Sequence, residues 1–196
     1  MAQSDRLKWD KKFSNMDHQI ENGEASYMLK KFYSQASGKR ALDVACGTGR
    51  NALFLAAQGF EVDALDISPV GLARLKSSAE KISGAGVINT VVTELEEYHP
   101  TRNSYDVIVA TNYLNRRLIP ELANALRVGG VLVLDTFASD KEKYTGDFNP
   151  DFLLQTGEFP TYFDASYTTL QFDEFNNDVN KFGMWKQVIA VQKRAS

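Results

Sequence analysis

Two acids and two glycines carry the chemistry legible in this chain. Asp43 is set into the apolar run Ala41 to Ala45, Gly47 and Gly49 follow it, and Asp66 stands further on. Glycine lets a ligand approach the backbone. An acid about twenty residues beyond such a turn is placed to hold a ribose. The spacing therefore points to a nucleoside cofactor. Gly47, Gly49 and Ala52 match the G-x-G-x-x-G/A pattern of nicotinamide dinucleotide sites, a weak signal by itself. Asp43 argues the other way. A carboxylate inside a buried strand is costly unless something pairs with it. A pyrophosphate would repel it, whereas a ligand carrying an ammonium and a sulfonium gives it a partner.

Around these residues the pattern reads strand, glycine turn, helix, strand. Ala52, Leu53, Leu55 and Ala56 repeat at helical spacing, and Glu61 to Leu65 forms a second strand that ends at Asp66. In open α/β sheets ligands sit at the carboxyl ends of strands, where the strand order reverses. The stretch from Arg40 to Ile67 resembles the first motif of the class I S-adenosylmethionine (AdoMet)-dependent methyltransferases, [D/E]-x-G-x-G-x-G. Here it reads Asp43, Ala45, Gly47, Gly49, with alanine in place of the first glycine. The run Cys46-Gly-Thr-Gly-Arg-Asn-Ala-Leu-Phe-Leu-Ala, followed by Asp66-Ile-Ser-Pro-Val-Gly-Leu, is similar to the small tellurite-resistance and thiopurine-type members.

That resemblance implies an α/β, Rossmann-like sheet of seven strands. The sheet is mostly parallel with an antiparallel last strand, and helices cover both faces. It implies AdoMet as cofactor, S-adenosylhomocysteine as product and no metal. It places Ala45, Cys46, Gly47, Gly49 and Asn51 at the methionyl part, with Asp43 supporting the cofactor amine directly or through the loop. Asp66 takes the ribose hydroxyls, Ile67 packs on adenine, Glu94 takes the adenine amino group and Leu95 supplies an amide. Thr111 and Asn112, at the end of the fourth strand, face the methyl donor. Tyr113 and Arg116 are the candidates for acceptor contact. Cys46 reads as a small structural residue, not a nucleophile.

The remaining segments frame this core. Residues 1–38 supply lid helices. Trp9-Asp10 with Phe13 is similar to the W-D-x-x-[YF] opener of the family, whose aromatic helps cover the cofactor; the alternative is that Trp9 and Phe13 pack on the core. Ser14 stands where relatives often carry arginine. His18 is a solvated loop residue or a base. Ala25 to Ser37 predicts an amphipathic helix with Met28, Leu29, Phe32 and Tyr33 inward, closed by Gly38. Residues 39–136 form the cofactor-binding core. Ser68-Pro69 starts a helix that ends near Gly84. Residues 137–164 are an acceptor-side insert, in which Asn149-Pro-Asp-Phe-Leu-Leu-Gln-Thr-Gly-Glu resembles N-P-x-x-L-L-x-x-G-E of small-molecule members. Phe148, Phe152, Phe159, Tyr162 and Phe163 line the acceptor pocket or pin the insert to the sheet. Residues 165–193 read as a terminal hairpin around Asn176 to Lys181, an ending that ordinary dinucleotide dehydrogenases lack.

Composition bounds the function. The chain has 196 residues, 43% of them apolar, and a net charge of -3. That fits a full core and gives no broad footprint for nucleic acid. One cysteine suits a reducing cytoplasm. No apolar run approaches a membrane span. The aromatic insert and acidic balance favour a small-molecule acceptor, and Arg116 and Arg117 allow an anionic one. Three rivals stand beside this reading: a dinucleotide oxidoreductase, a non-catalytic AdoMet-binding protein and a methyltransferase acting on a macromolecule.

Overall fold

The computed structural model describes residues 2–15, 23–81, 86–139, 149–176 and 184–195. His18, Phe148, the helix end at Gly84 and the hairpin turn after Asn176 lie outside them. Seven strands form one sheet: β1 (Arg40–Val44), β2 (Glu61–Asp66), β3 (Val87–Val92), β4 (Tyr105–Thr111), β5 (Leu126–Ser139), β6 (Tyr167–Asn176) and β7 (Met184–Lys193). Their order is β3-β2-β1-β4-β5-β7-β6. The first five run parallel, and β7 runs antiparallel to both β5 and β6. This is the architecture that the glycine motif and terminal hairpin imply.

The central strands are apolar on both faces because both faces are covered there; the edge strands β3 and β6 are more exposed. Val107, Val131 and Val188 point to one side, and Ile108, Leu132 and Ile189 to the other. The first face carries α2 (Tyr27–Phe32), α3 (Arg50–Ala57) and α4 (Pro69–Ala79), through Met28, Leu29, Leu55, Leu72 and Leu75. The second carries α5 (Leu118–Ala125), through Leu118 and Leu122, and the insert, through Leu154 and Phe159. The N-terminal helix α1 (Ala2–Ser14) packs against α4.

One local reading is refined, and two connections take their own form. The helix expected from Ala25 to Ser37 is α-helical only over α2, then tightens to a 3-10 turn at Tyr33–Gln35. Val128-Gly-Gly lies within β5, whose pairing with β4 shifts between Tyr105 and Val107. Residues 93–104, between β3 and β4, form no helix.

The strand order reverses between β1 and β4. Their carboxyl ends, near Val44 and Ala110, lie level in the register, so the cleft for a ligand opens there.

Candidate active site

The glycine turn alternates in backbone hand. Ala45, Gly47 and Gly49 all have positive φ, at 54°, 58° and 86°. The chain thus leaves β1 through three left-handed residues, two of which are glycine. A Cβ at Gly49 would lie 2.2 Å from a Leu75 methyl, so α4 packs onto the bare backbone. The Cys46 amide donates to Leu65 O at 2.9 Å, which ties the turn to β2.

Carboxylates hold this turn. Asp66 is buried, and its Oδ2 accepts from the Gly47 amide at 2.7 Å while Oδ1 accepts from the Ser68 amide at 2.9 Å. Asp43 is 1% exposed and accepts from the Ala52 amide at 2.9 Å. Its other oxygen, Oδ1, has no hydrogen-bond partner. Burial pushes the Asp43 carboxyl up to about 7, against the Ala52 amide bond and the pull of Arg50. Burial also raises Asp66, opposed by its amide bonds. Gly49 N donates to Cys46 O at 2.8 Å. The amides of Gly47, Gly49 and Ala52, the three positions of the dinucleotide pattern, are therefore all engaged within the protein. A phosphate-binding turn presents such amides to its ligand.

The sequence-predicted residues fall around this turn. Asn51 is buried; its Oδ1 accepts from the Ser26 amide at 3.0 Å, and its Nδ2 donates to Thr111 Oγ1 at 3.2 Å. It thereby joins the start of α3 to the end of β4. Ile67 is half-buried, Leu95 is buried, and Glu94 projects into solvent with Glu96 and Glu97. Cys46 is buried and its thiol is pushed up by burial, which fits a packing role. In α1 the ring that meets the turn is Phe13: a Cβ at Gly47 would sit 3.3 Å from it, and one at Gly71 3.0 Å. Trp9 stacks on Phe13 at 5.6 Å. Ser68 Oγ donates to Asp10 at 2.5 Å and accepts from Gly71 N as the cap of α4.

Beyond the end of β4, Tyr113 is half-buried, and burial pushes its hydroxyl up to about 12. It lines a small pocket with Ala110, Asn115, Leu134 and Phe159. Arg116 does not face this pocket as a free cation. Its Nε and Nη2 donate to the two oxygens of Glu158 at 2.7 and 3.0 Å, and it also donates to Asp151 O and Leu153 O, each at 2.8 Å. Arg116, a candidate for acceptor contact, thus forms a strut that fastens the insert to the start of α5. Arg117 is similarly held by Glu121 and by the carbonyls of Leu95 and Tyr98. Among the insert aromatics, Phe159 is a core residue and Phe152 is exposed. Two residues beyond the sequence reading complete this end of the sheet. Lys186 Nζ donates to Asp135 Oδ1 at 2.6 Å and to Asn112 Oδ1 at 2.9 Å. Period-two counting back from Val188 and Ala190 places Lys186 inward on β7.

The sequence model described as tellurite resistance protein TehB matches residues 12–186. The chain belongs to the TehB family. A Haemophilus influenzae relative named "Probable S-adenosyl-L-methionine-dependent methyltransferase TehB" is 27% identical over 150 residues, covering 72% of this chain and 49% of the relative. The ubiquinone biosynthesis O-methyltransferase of Rickettsia typhi is 27% identical over 135 residues, covering 65% of this chain and 54% of that one. The chain thus spans about half the length of these curated TehB-type and related proteins. The crystal structure of TehB from Haemophilus influenzae has the same fold, with a TM-score of 0.67 at 22% identity over 96% of this chain and 67% of that one. Among the described residues of this TehB-family chain, no helix is long and apolar enough to cross a membrane.

Proposed function

We propose that the chain is an AdoMet-dependent methyltransferase acting on a small-molecule acceptor. The observation that carries this reading is the buried Asp43 oxygen with no partner, beside a turn whose fingerprint amides are already engaged. A cationic ligand relieves an orphaned buried carboxylate, whereas a pyrophosphate adds repulsion and finds no free donors at those three positions. The residues fit AdoMet. Asp43 favours its ammonium and sulfonium, Asp66 keeps lone pairs for ribose hydroxyls, and Ile67 and Leu95 offer apolar surface to adenine, with Glu94 as acceptor for its amino group. Trp9 and Phe13 cover the turn from α1.

When bound, AdoMet supplies a methyl group already activated by its sulfonium, which an acceptor nucleophile takes in line as the thioether departs. The protein then contributes position and exclusion of water. The Asn51–Thr111 bond fixes the end of β4 against the cofactor turn, so Asn112 and Tyr113 stand at the acceptor side. Phe159 brings the insert against Tyr113 at this end of the sheet, where a small acceptor would approach the methyl group.

Calorimetry with AdoMet, S-adenosylhomocysteine and NAD tests the cofactor. Binding of the first two and not the third is expected; binding of NAD alone rejects the reading. An acceptor screen read by homocysteine release then separates small acceptors from protein and RNA fractions. Thiols, selenium and tellurium oxyanions and small carboxylic acids belong in it. Turnover only on macromolecules would reject the small-acceptor assignment.

A further inference from the structure

At the carboxyl-end rim of the sheet, Lys186 of β7 stands level with Phe137 of β5, two residues past the level at which Thr111 pairs with Asp135. Its side chain is 15% exposed. Nζ lies over the Phe137 ring, 5.0 Å from the centroid. An ammonium has three donors. Two are aimed at Asp135 Oδ1 and Asn112 Oδ1, which leaves one. Asn112 is itself left-handed, at φ 56°, a conformation asparagine tolerates better than most residues. Its neighbour Thr111 is bonded through Asn51 to the start of α3. The ammonium is therefore one residue removed from the link that reaches the cofactor turn. The two arginines on this side are committed elsewhere, Arg116 to Glu158 and Arg117 to Glu121.

We propose that Lys186 is the specificity-determining cation of the acceptor site, held in place by Asp135 and Asn112, and that it selects acceptors bearing an anionic group such as a carboxylate. Asp135 serves two ends. It balances the ammonium while the site is free of acceptor, and it fixes the direction of the remaining N–H. A bound anion gives that N–H a second charged partner. The inference rests on the methyltransferase reading, because that reading makes the carboxyl-end rim of the sheet the acceptor side; Lys186 reaches that rim from the face that carries α2, α3 and α4, opposite the small pocket beside Tyr113.

The test uses the full chain loaded with S-adenosylhomocysteine, titrated at fixed ionic strength with 3-mercaptopropionate and with neutral 2-mercaptoethanol. The wild type is expected to bind the anion more tightly by about tenfold or more, the scale of one hydrogen bond between charged groups. Lys186→Gln is expected to bring the two probes to parity with homologue affinity unchanged, and Lys186→Arg to keep most of the preference. Asp135→Asn removes the competing carboxylate and is expected to tighten the anion further. That variant decides the matter if Lys186→Gln does not fold. Parity in the wild type, a preference that survives Lys186→Gln, or anion binding weakened by Asp135→Asn would overturn the proposal. Failure of S-adenosylhomocysteine itself to bind would instead reject the underlying methyltransferase reading, and this inference with it.

Discussion

Ala45 occupies a left-handed conformation that costs a residue with a Cβ about 1–2 kcal/mol, where the family motif has glycine. Ala45→Gly should relieve that cost. Part of the gain is offset because glycine loses more freedom on folding. The net expectation is about +1 kcal/mol, read as a Tm rise of roughly 2–4 °C for a chain of this size. A lower Tm would mean that the alanine methyl contributes more by packing than its backbone costs. Asp43 offers a test with a definite sign in pH. Its native carboxyl keeps its proton up to about 7, while the unfolded chain releases it near 3.9. Between those values the native state binds more protons, so this group lowers stability as pH rises from about 4 to 7, and its effect levels off above. Asp43→Asn should therefore gain on the wild type over that window, by on the order of 2–4 kcal/mol at pH 8, in denaturant titrations without cofactor. A cationic ligand favours the ionised carboxylate, so AdoMet binding should release a proton near pH 6.5, and affinity should rise with pH. Calorimetry in two buffers of different ionisation enthalpy measures that proton; no release would remove Asp43 from the cofactor site. Asp66→Ala should weaken AdoMet by roughly 1.5–3 kcal/mol, the scale of hydrogen bonds to a charged group.

At the scale of elements, the insert depends on one side chain. Arg116 joins α5 to Glu158 by two bonds and to two carbonyls of residues 151–153. Its side chain is more than a third exposed, so solvent screening reduces what the pair contributes. Arg116→Ala should cost about 1–2 kcal/mol and speed proteolytic cleavage within residues 149–163, with S-adenosylhomocysteine affinity unchanged. Equal protease resistance would show that Leu153, Leu154 and Phe159 anchor the segment without the strut. The sequence could not show this bond. Arg116 and Glu158 lie 42 residues apart, and an arginine at a helix entry next to a strand end reads equally as a ligand contact. The strands were legible, because β1, β4 and β5 are largely apolar runs set between polar or glycine-containing segments. Asp43, Asp66 and the glycine turn were legible for a related reason: each breaks a local rule, an acid in a buried strand or a non-glycine in a glycine position. Lys186 breaks one as well, but a lysine on a β-strand ordinarily reads as outward. Only the parity set by Val188 and Ala190 turns it in.

Across the whole molecule the two faces of the sheet are unequal. Three helices and the docked α1 cover the cofactor-side face, whereas α5 and the insert cover the other. The turn proposed to bind the cofactor is also where α1 is fastened, through Phe13 on Gly47 and Gly71 and through Asp10 on Ser68. Cofactor and α1 therefore share one surface, so ligand binding must either dislodge α1 or close under it. These alternatives differ in an observable that reports on the entire fold. A ligand at a hundred times its Kd stabilises the native state by about 2.7 kcal/mol if it binds without opening the structure, equivalent to a Tm rise of roughly 5–11 °C for a chain of this length. The rise should grow with the logarithm of ligand concentration. If α1 closes over the cofactor, Phe13→Ala should lower the melting temperature of the free protein and also weaken S-adenosylhomocysteine, because the variant loses a covering ring. If binding displaces α1, the same substitution should leave affinity equal or improved while still lowering Tm. The stacked pair Trp9–Phe13 and the close fit of Phe13 to two glycines favour closure, so the expected result is the first.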